Sequence, residues 1–531
     1  MNLTRRELLT TFLGAPFAFA ACRDLGAPTR FPEGEIVGQS ATLGHILREN
    51  RTFEVPADNW QNVRVAIVGG GVAGLSAAWK LLNQNLHDFV LLELEKEVGG
   101  TSSSGVAQPV GYPWGAHYLP VPFQENTELI SLLDEMQLTD GRAANGDVVV
   151  NEEYLCREPE ERVFYKGRWY DGLYLHAGES DEDKRQFAEF QKHIDHWVNW
   201  RDASGKRAFV VPTANCSRDV EATSLDKLSF AQWLQQNGFT SERLIWFCDY
   251  ACRDDYGLKL DQTSAWAGLF YFCSRVRKTG EESQAFITFP EGNGRFVNHL
   301  ADRVKDKIKK SHVVVSILPK EKSVDVICLA NNELRGFRCE KVIYASPIFT
   351  APYVIRDFQK DEPFAASEFQ HNAWFVANLF LKDRPKPRFA KDFPLSWDNV
   401  LYESPSLGYV NATHQKGIDY GATIWTYYYP MCHEENGRTK LFNYEWHDLA
   451  DVCLTDIARA HPDIYELCER IDIMRWGHAM ISPRPGFIWG GERQKATKPY
   501  RNIHFAHTDL SGIALFEEAF YHGLRSAEEI V

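Results

Sequence analysis

An α/β fold, with a parallel sheet covered by helices, is the class this sequence predicts, and three observations carry the prediction. A β-branched run at residues 63–68 passes straight into Gly69-Gly70-Gly71-Val72-Ala73-Gly74 and then into a helical repeat. A second apolar run, Phe89-Val90-Leu91-Leu92, ends on an acid, Glu93, nineteen residues after Gly74. Further on, a three-strand pattern passes through Val313–Val315 and Val324–Leu329 to Lys341–Ala345. The composition agrees. With 531 residues, 44% hydrophobic and 24% charged, the chain can build a sizeable core, which excludes a disordered, collagen-like or small disulfide-stapled protein. At about 150 residues per domain, its length allows two to four domains.

The first run, Val-Arg-Val-Ala-Ile-Val, reads as a buried parallel strand. Gly69, Gly71 and Gly74 then complete a G-x-G-x-x-G turn. Such glycines permit the tight bend and let backbone N–H groups approach a pyrophosphate, whose charge the following helix start stabilises. Leu75, Ala78, Trp79 and Leu82 share one helical face, so that helix is predicted to run to Asn83. Glu93 stands where an acid can accept both ribose hydroxyls, and an acid there disfavours a 2′-phosphate. Strand, turn, helix, strand and acid together predict a dinucleotide site made by Gly69, Gly71, Val72, Ala73, Gly74 and Glu93. Gly99 and Gly100 follow at the spacing of a loop that folds over FAD, which selects FAD over NAD.

From here the chain resembles the flavin-containing amine oxidase superfamily, which includes monoamine and polyamine oxidases, protoporphyrinogen oxidase and the carotenoid desaturases. Pro113-Trp114-Gly115-Ala116-His117-Tyr118 is similar to the segment that passes the flavin ring, which implies cofactor contacts at Gly115 and Ala116. Phe289–Arg295 resembles the turn that opens the helix returning to the FAD domain. Ile503–Ser511 resembles the second FAD motif, in which Asp509 would hold the ribityl chain, with Ser511 beside it. Glu518-Ala519 and Gly523–Ala527 match the closing helix, whose first amides would stabilise the negative charge of reduced flavin. The resemblance implies an FAD-binding Rossmann-type, glutathione-reductase-like domain interleaved with an α+β substrate domain. The expected segments are 58–118, 290–350 and 471–531 for FAD, and 119–289 and 351–470 for substrate.

Three departures from that pattern stand out. Thr101 replaces the usual Arg after the glycine pair, and His507 replaces a Gly in the second motif. Val376 or Ala377 occupies the place of the lysine that holds a water against the flavin, which tilts the chemistry away from true amine oxidation. For catalysis, His117 is a candidate polar contact or base, with a bond to loop backbone as the rival reading. Trp476 is a candidate aromatic wall that positions a substrate carbon, with core packing as its rival. His478 reads as structural. Arg253-Asp254-Asp255 reads as a surface turn with local ion pairs, or as a substrate clamp. No CxxC pair occurs among the 11 cysteines, so no metal site is signalled and buried thiols are expected.

The N-terminus carries an export pattern: Arg5-Arg6 after Thr4, then a short apolar run to Ala21. It resembles a twin-arginine signal over residues 1–21, and Phe19-Ala20-Ala21-Cys22 resembles a lipoprotein cleavage box that would make Cys22 the lipidated residue. Cleavage after Ala20 is the competing reading. The net charge of −14 shows no basic stripe, so no nucleic-acid partner is expected. The sequence thus predicts an exported, periplasmic or extracytoplasmic FAD-dependent oxidoreductase that removes hydride from a C–N or C–C bond of a small molecule. Its expected partners are oxygen or another electron acceptor, the export machinery, and a membrane reached through a lipid on Cys22. A desaturase-like or protoporphyrinogen-oxidase-like enzyme on an apolar substrate, and a flavin-binding lipoprotein without turnover, are the alternatives.

Overall fold

The expected β–α–β unit is present as strand β1 (Trp60–Val68), helix α1 (Val72–Asn83) and strand β2 (Phe89–Leu92). The computed structural model describes residues 31–38, 43–44, 46–48, 53–280, 283–389 and 391–531. The export signal and Cys22 lie outside the described residues.

β1 and β2 are parallel, with Val65 opposite Phe89 and Val68 opposite Leu92. On the other side of β1 lies β3 (Glu333–Tyr344), also parallel, with Lys341 opposite Val65. Ile308–Lys309 extends the parallel set past β2, and Ile503–Phe505 extends it past β3. Three distant stretches of chain therefore meet in one sheet. The three-strand pattern forms as an antiparallel meander, His312–Pro319 to Val324–Ala330 to β3. Val65, Ala66 and Ile67 have no exposed surface. Val65 and Ile67 pack with Leu75 and Ala78 of α1, while Ala66 and Val68 pack with Val342 on the opposite face. Coverage on both faces explains why β1 reads as an unbroken apolar run. Helix α2 (Phe516–Glu528) lies across α1, and Gly523 makes that crossing close, since a Cβ there would stand 2.3 Å from the Ala73 carbonyl oxygen.

Among the described residues the second sheet has eight strands, and its centre holds β4 (His371–Leu381), β5 (Thr423–Pro430) and β6 (Cys468–Ile481). β4 lies between the other two and is antiparallel to both. Beyond β5 follow Gly408–Asn411, Asp398–Leu401, Glu161–Tyr165 and Arg168–Asp171; Glu33–Val37 pairs the outer edge of β6. The expected segment boundary at 470/471 falls inside β6. Phe375, Ala377 and Leu379 face the helix Trp446–Ala458, while Trp374 and Val376 face an aromatic cluster with Trp114, Tyr428 and Trp476. The period of two along β4 separates the two residues at the expected lysine place onto opposite faces. Val376 points toward the predicted flavin segment, and Ala377 points away.

The sequence reading of Arg253-Asp254-Asp255 as a surface turn is overturned. These residues form the last turn of the helix Glu242–Tyr256, with Arg253 and Asp255 buried. Arg253 gains burial because Asp249, one turn earlier, pairs with it at 2.9 Å. Cys248 and Cys252 are buried on the same helix, and the ten described cysteines are free thiols. Among the described residues no helix is long and apolar enough to cross a membrane.

Candidate functional site

The glycine turn separates into packing glycines and an open one. A Cβ on Gly69 (φ +112°) would stand 2.5 Å from the Ala345 carbonyl oxygen, and one on Gly74 would stand 1.9 Å from that of Gly69. Both are backbone atoms just past the ends of β1 and β3, so the helix start can approach the strands only if these residues lack a side chain. Gly71 differs: nothing lies within 4 Å of the place its Cβ would take, and no side chain caps α1. The first amides of α1, from Val72, Ala73 and Gly74, therefore look into an open cradle without a protein acceptor side chain. That is the donor set a pyrophosphate needs, and the residues fit FAD there. The Gly99–Gly100 loop folds against the turn, with the Gly99 N–H donating to the Gly70 carbonyl at 2.8 Å.

Glu93 supports the same turn. Its Oε2 accepts the Gly70 N–H at 2.6 Å and its Oε1 accepts that of Glu95 at 2.8 Å. Burial pushes its carboxyl up to about 7, against the pull of those two backbone donors. One carboxylate thus both ties the turn and stands beside the cradle.

The segment 113–118 is held by the turn Gly100–Ser102 on one side and by the second sheet on the other. The Ala116 N–H donates to the Thr101 carbonyl at 2.9 Å, and a Cβ on Gly115 would stand 2.3 Å from that same oxygen. Thr101 thus serves through its backbone where the resemblance leads one to expect an arginine. Trp476 of β6 donates its indole N–H to the Trp114 carbonyl at 2.7 Å. Tyr428 of β5 donates its hydroxyl to the Gly115 carbonyl at 2.8 Å. Trp476 is 4% exposed and belongs to the aromatic cluster with Trp114, Val376 and Tyr428, so it packs and anchors at once. His117 stacks between Tyr428 and Trp397, at ring distances of 4.9 and 5.3 Å. Burial pushes its imidazole down to about 4, opposed by a hydrogen bond to the Gly115 backbone. At neutral pH His117 is uncharged, and its tie to loop backbone is the rival reading made at the sequence level.

The second motif follows the short strand Ile503–Phe505. Asp509 has no exposed surface. Its Oδ1 lies 2.9 Å from His371 Nε2 and 2.9 Å from His507 Nδ1, and its Oδ2 accepts the Ile348 N–H at 2.8 Å. Burial alone would push this carboxyl up, but the two histidines outweigh it and hold it well below the usual carboxylate range. Both Asp509 oxygens are thus engaged within the protein, and His507, which replaces the expected Gly, is one of the partners. Ser511 turns the other way, donating its hydroxyl to Glu518 of α2 and lying 2.9 Å from His522 Nε2. Burial pushes Glu518 up to about 7, against hydrogen bonds from Ser511 and the Thr213 N–H. The structure therefore gathers Gly69 to Gly74, Glu93, Gly99, Gly100, Gly115 and Ala116 around one cradle and ties Ser511 to the closing helix.

Sequence reasoning passed over His371 and Tyr428. His371 lies outside every motif, at the start of β4, and nothing local announces its partner 138 positions later. Tyr428 was legible in principle, because Ile424, Thr426 and Tyr428 alternate along β5 and so share one face.

Comparison with known proteins places this geometry. Residues 72–531 match the family described as flavin containing amine oxidoreductase. Oxidoreductase PigB from a Serratia species is 21% identical over 292 residues, covering 51% of this chain and 41% of that protein. The match therefore spans about two fifths of that relative's length. Putrescine oxidase bound to putrescine superposes with a TM-score of 0.65 at 17% identity, covering 89% of this chain and 99% of that one. Cyclohexylamine oxidase from Brevibacterium oxydans gives 0.61 at 15% identity, covering 88% and 99%. A fatty acid isomerase from P. acnes that produces CLA gives 0.60 at 16% identity, covering 88% and 98%.

Proposed function

Since the chain belongs to the flavin-containing amine oxidoreductase family, an FAD-dependent oxidoreductase, we propose that it removes hydride from the C–N bond of an organic amine and delivers the electrons to oxygen or another acceptor. The observation that carries this reading is the buried aromatic cluster fixed to the segment 113–118. Trp476 and Tyr428 each bond a backbone carbonyl of that segment while presenting ring faces beside Trp114 and Val376. Bound FAD supplies the hydride acceptor. The chain's own residues bind the pyrophosphate at α1, orient the flavin segment through Trp114 and Gly115, and exclude water with aromatic walls. Positioning of this kind is what hydride transfer asks of a protein. Burial that holds His117 uncharged also makes it a weak proton acceptor at neutral pH, so its proposed role is a neutral polar contact beside the segment 113–118. The decisive test is anaerobic: primary amines added to purified holoenzyme should bleach its visible flavin absorbance. Purified protein that is colourless and takes up no FAD overturns the reading.

A second reading is favoured by Val376. With no lysine at that position, chemistry on a C–C bond of an apolar substrate, as in a desaturase or a protoporphyrinogen-oxidase-like enzyme, suits the wall equally well. Bleaching by lipophilic polyenes or porphyrinogens and not by amines would select it. The export reading rests on Arg5, Arg6 and the apolar run before Cys22. It places the enzyme outside the cytoplasm, with a lipid on Cys22 as the membrane anchor. Fractionation of cells producing wild type and an Arg5→Lys, Arg6→Lys double variant tests it, and retention of wild type in the cytoplasm overturns it.

A further inference from the structure

Four parallel strands of the cofactor sheet end in one row. Leu92 lies opposite Val68, Val68 opposite Tyr344, and Tyr344 opposite Phe505. The loops that leave this row stand side by side along one edge, in the order Glu93, the glycine turn, Ala345 and His507. Neighbouring strands lie about 4.8 Å apart, so the loop of His507 begins about 10 Å from the glycine turn, on the side opposite Glu93. Ligands of open α/β sheets lie outside the carboxyl ends of the strands, which is this edge.

Asp509 and His507 differ in what they can offer a ligand on that edge. Asp509 has no exposed surface, and it could turn an oxygen outward only by giving up His371, His507 or the Ile348 N–H. The His507 side chain is 23% exposed. Both of its protein contacts fall on Nδ1, which lies 2.9 Å from Asp509 Oδ1 and 3.2 Å from the Asp509 amide nitrogen. Nε2, on the far side of the ring, has no hydrogen-bond partner among the described residues. The ring is therefore fixed at one nitrogen and free at the other. His371 of β4 holds the same Asp509 oxygen, so the second sheet braces the group that aims His507. The backbone at His507 is extended, with φ at −162°, a conformation any residue adopts. Nothing in the local fold asks for the glycine expected here, and a glycine would offer no side chain to a ligand.

We infer that His507, aimed by Asp509, binds the flavin half of FAD through Nε2, and that Asp509 acts as its positioning residue rather than as the ligand contact. The order of loops along the edge sets the direction. With the pyrophosphate at the first amides of α1 and the adenosine ribose at Glu93, the flavin half runs the other way, past Ala345 to His507. The group met there is a hydroxyl of the ribityl chain, which can donate or accept and so suits either neutral form of the imidazole. This contact concerns the cofactor alone and stands whichever bond the enzyme oxidises.

The test uses binding, not turnover. Full-length cofactor-free protein is titrated with FAD, followed by quenching of flavin fluorescence. ADP serves as a competitor that carries the adenosine and pyrophosphate but no ribityl chain. His507→Phe keeps a ring of similar size without its nitrogens. It should bind FAD roughly fivefold more weakly, the loss of one hydrogen bond, while ADP competes within twofold of its wild-type strength. His507→Gln places an amide where Nε2 stands and should return FAD affinity to within twofold of wild type. Both cofactor-free variants should melt as wild type does. Unchanged FAD affinity in His507→Phe, or no rescue by His507→Gln, overturns the contact. FAD and ADP weakened together, with a lowered melting temperature, would assign His507 to the fold and overturns it as well. Failure of ADP to compete in wild type overturns the orientation on which the contact rests. If the FAD-selective loss appears but no amine bleaches the flavin, the contact stands and the amine reading fails.

Discussion

The carboxylate of Glu93 and the amide of Gly70 are joined at 2.6 Å across the base of the cofactor cradle. The acid predicted to meet a ribose therefore also fixes the shape of the turn that meets the pyrophosphate. This double duty gives Glu93 a sharper mutational signature than a ligand contact alone.

Glu93→Gln should weaken FAD binding roughly tenfold, the loss of one charge-assisted hydrogen bond of about 1.5 kcal/mol. It should also change the pH profile of the cofactor-free protein. Because burial raises this carboxyl to about 7, the folded state binds its proton more tightly than the unfolded state, so its contribution favours folding at low pH and is lost as pH rises toward 7. Relative to wild type, the cofactor-free Gln variant should gain stability between pH 5 and pH 8, read by denaturant melts. Unchanged FAD affinity would show that Glu93 is not at the site.

Gly74 and Gly71 lie three positions apart and should fail in opposite ways. Gly74→Ala places a methyl 1.9 Å from a backbone oxygen, and should cost on the order of 3 kcal/mol of stability with or without FAD. Gly71→Ala meets no protein atom within 4 Å, so the cofactor-free variant should melt as wild type does while its FAD occupancy collapses. Melting curves of both forms, with flavin content read by absorbance, check the pair. An unstable cofactor-free Gly71→Ala would contradict the open cradle.

Asp509→Asn removes the acceptor shared by His371 and His507 and should destabilise the fold by about 1–3 kcal/mol at neutral pH. Since the folded carboxyl is held below its ordinary range, its contribution is fully present above about pH 4 and is lost as pH falls through the depressed value. The gap between wild type and variant should therefore be constant from pH 5 to pH 8 and narrow below pH 4. A gap that stays unchanged below pH 4 would show that the Asp509 carboxyl is not the group responsible.

Val376→Lys introduces a charge where a residue 1% exposed now packs among Trp114, Tyr428 and Trp476. It should cost more stability than Val376→Ala, itself worth about 2 kcal/mol as a lost core side chain. It should bring no gain in the rate of anaerobic flavin reduction by amines. A faster reduction would mean that the cluster around Val376 can accommodate a lysine and the water it carries.

The strand, turn and acid of the cofactor unit were legible because they are local: the bend needs glycine, the buried strand needs β-branched residues, and the spacing between them is set by one helix. The faces of Val376 and Ala377 stayed open in the sequence because a slip of one residue reverses the face of a strand, and only the register with β5 and β6 fixes them. Asp254 could be seen but not placed, since a short charged run looks the same at a surface turn and at a buried helix end. Export at residues 1–22 is argued from sequence alone.

The cofactor sheet takes β1 and β2 from early in the chain, β3 from its middle and Ile503–Phe505 from near its end, and α2 then covers α1. On a growing polypeptide the glycine turn emerges some 430 residues before the elements that finish its surroundings. Flavin capture is thus a late event in the life of each molecule. A cell short of flavin would accumulate complete but colourless chains rather than truncated ones.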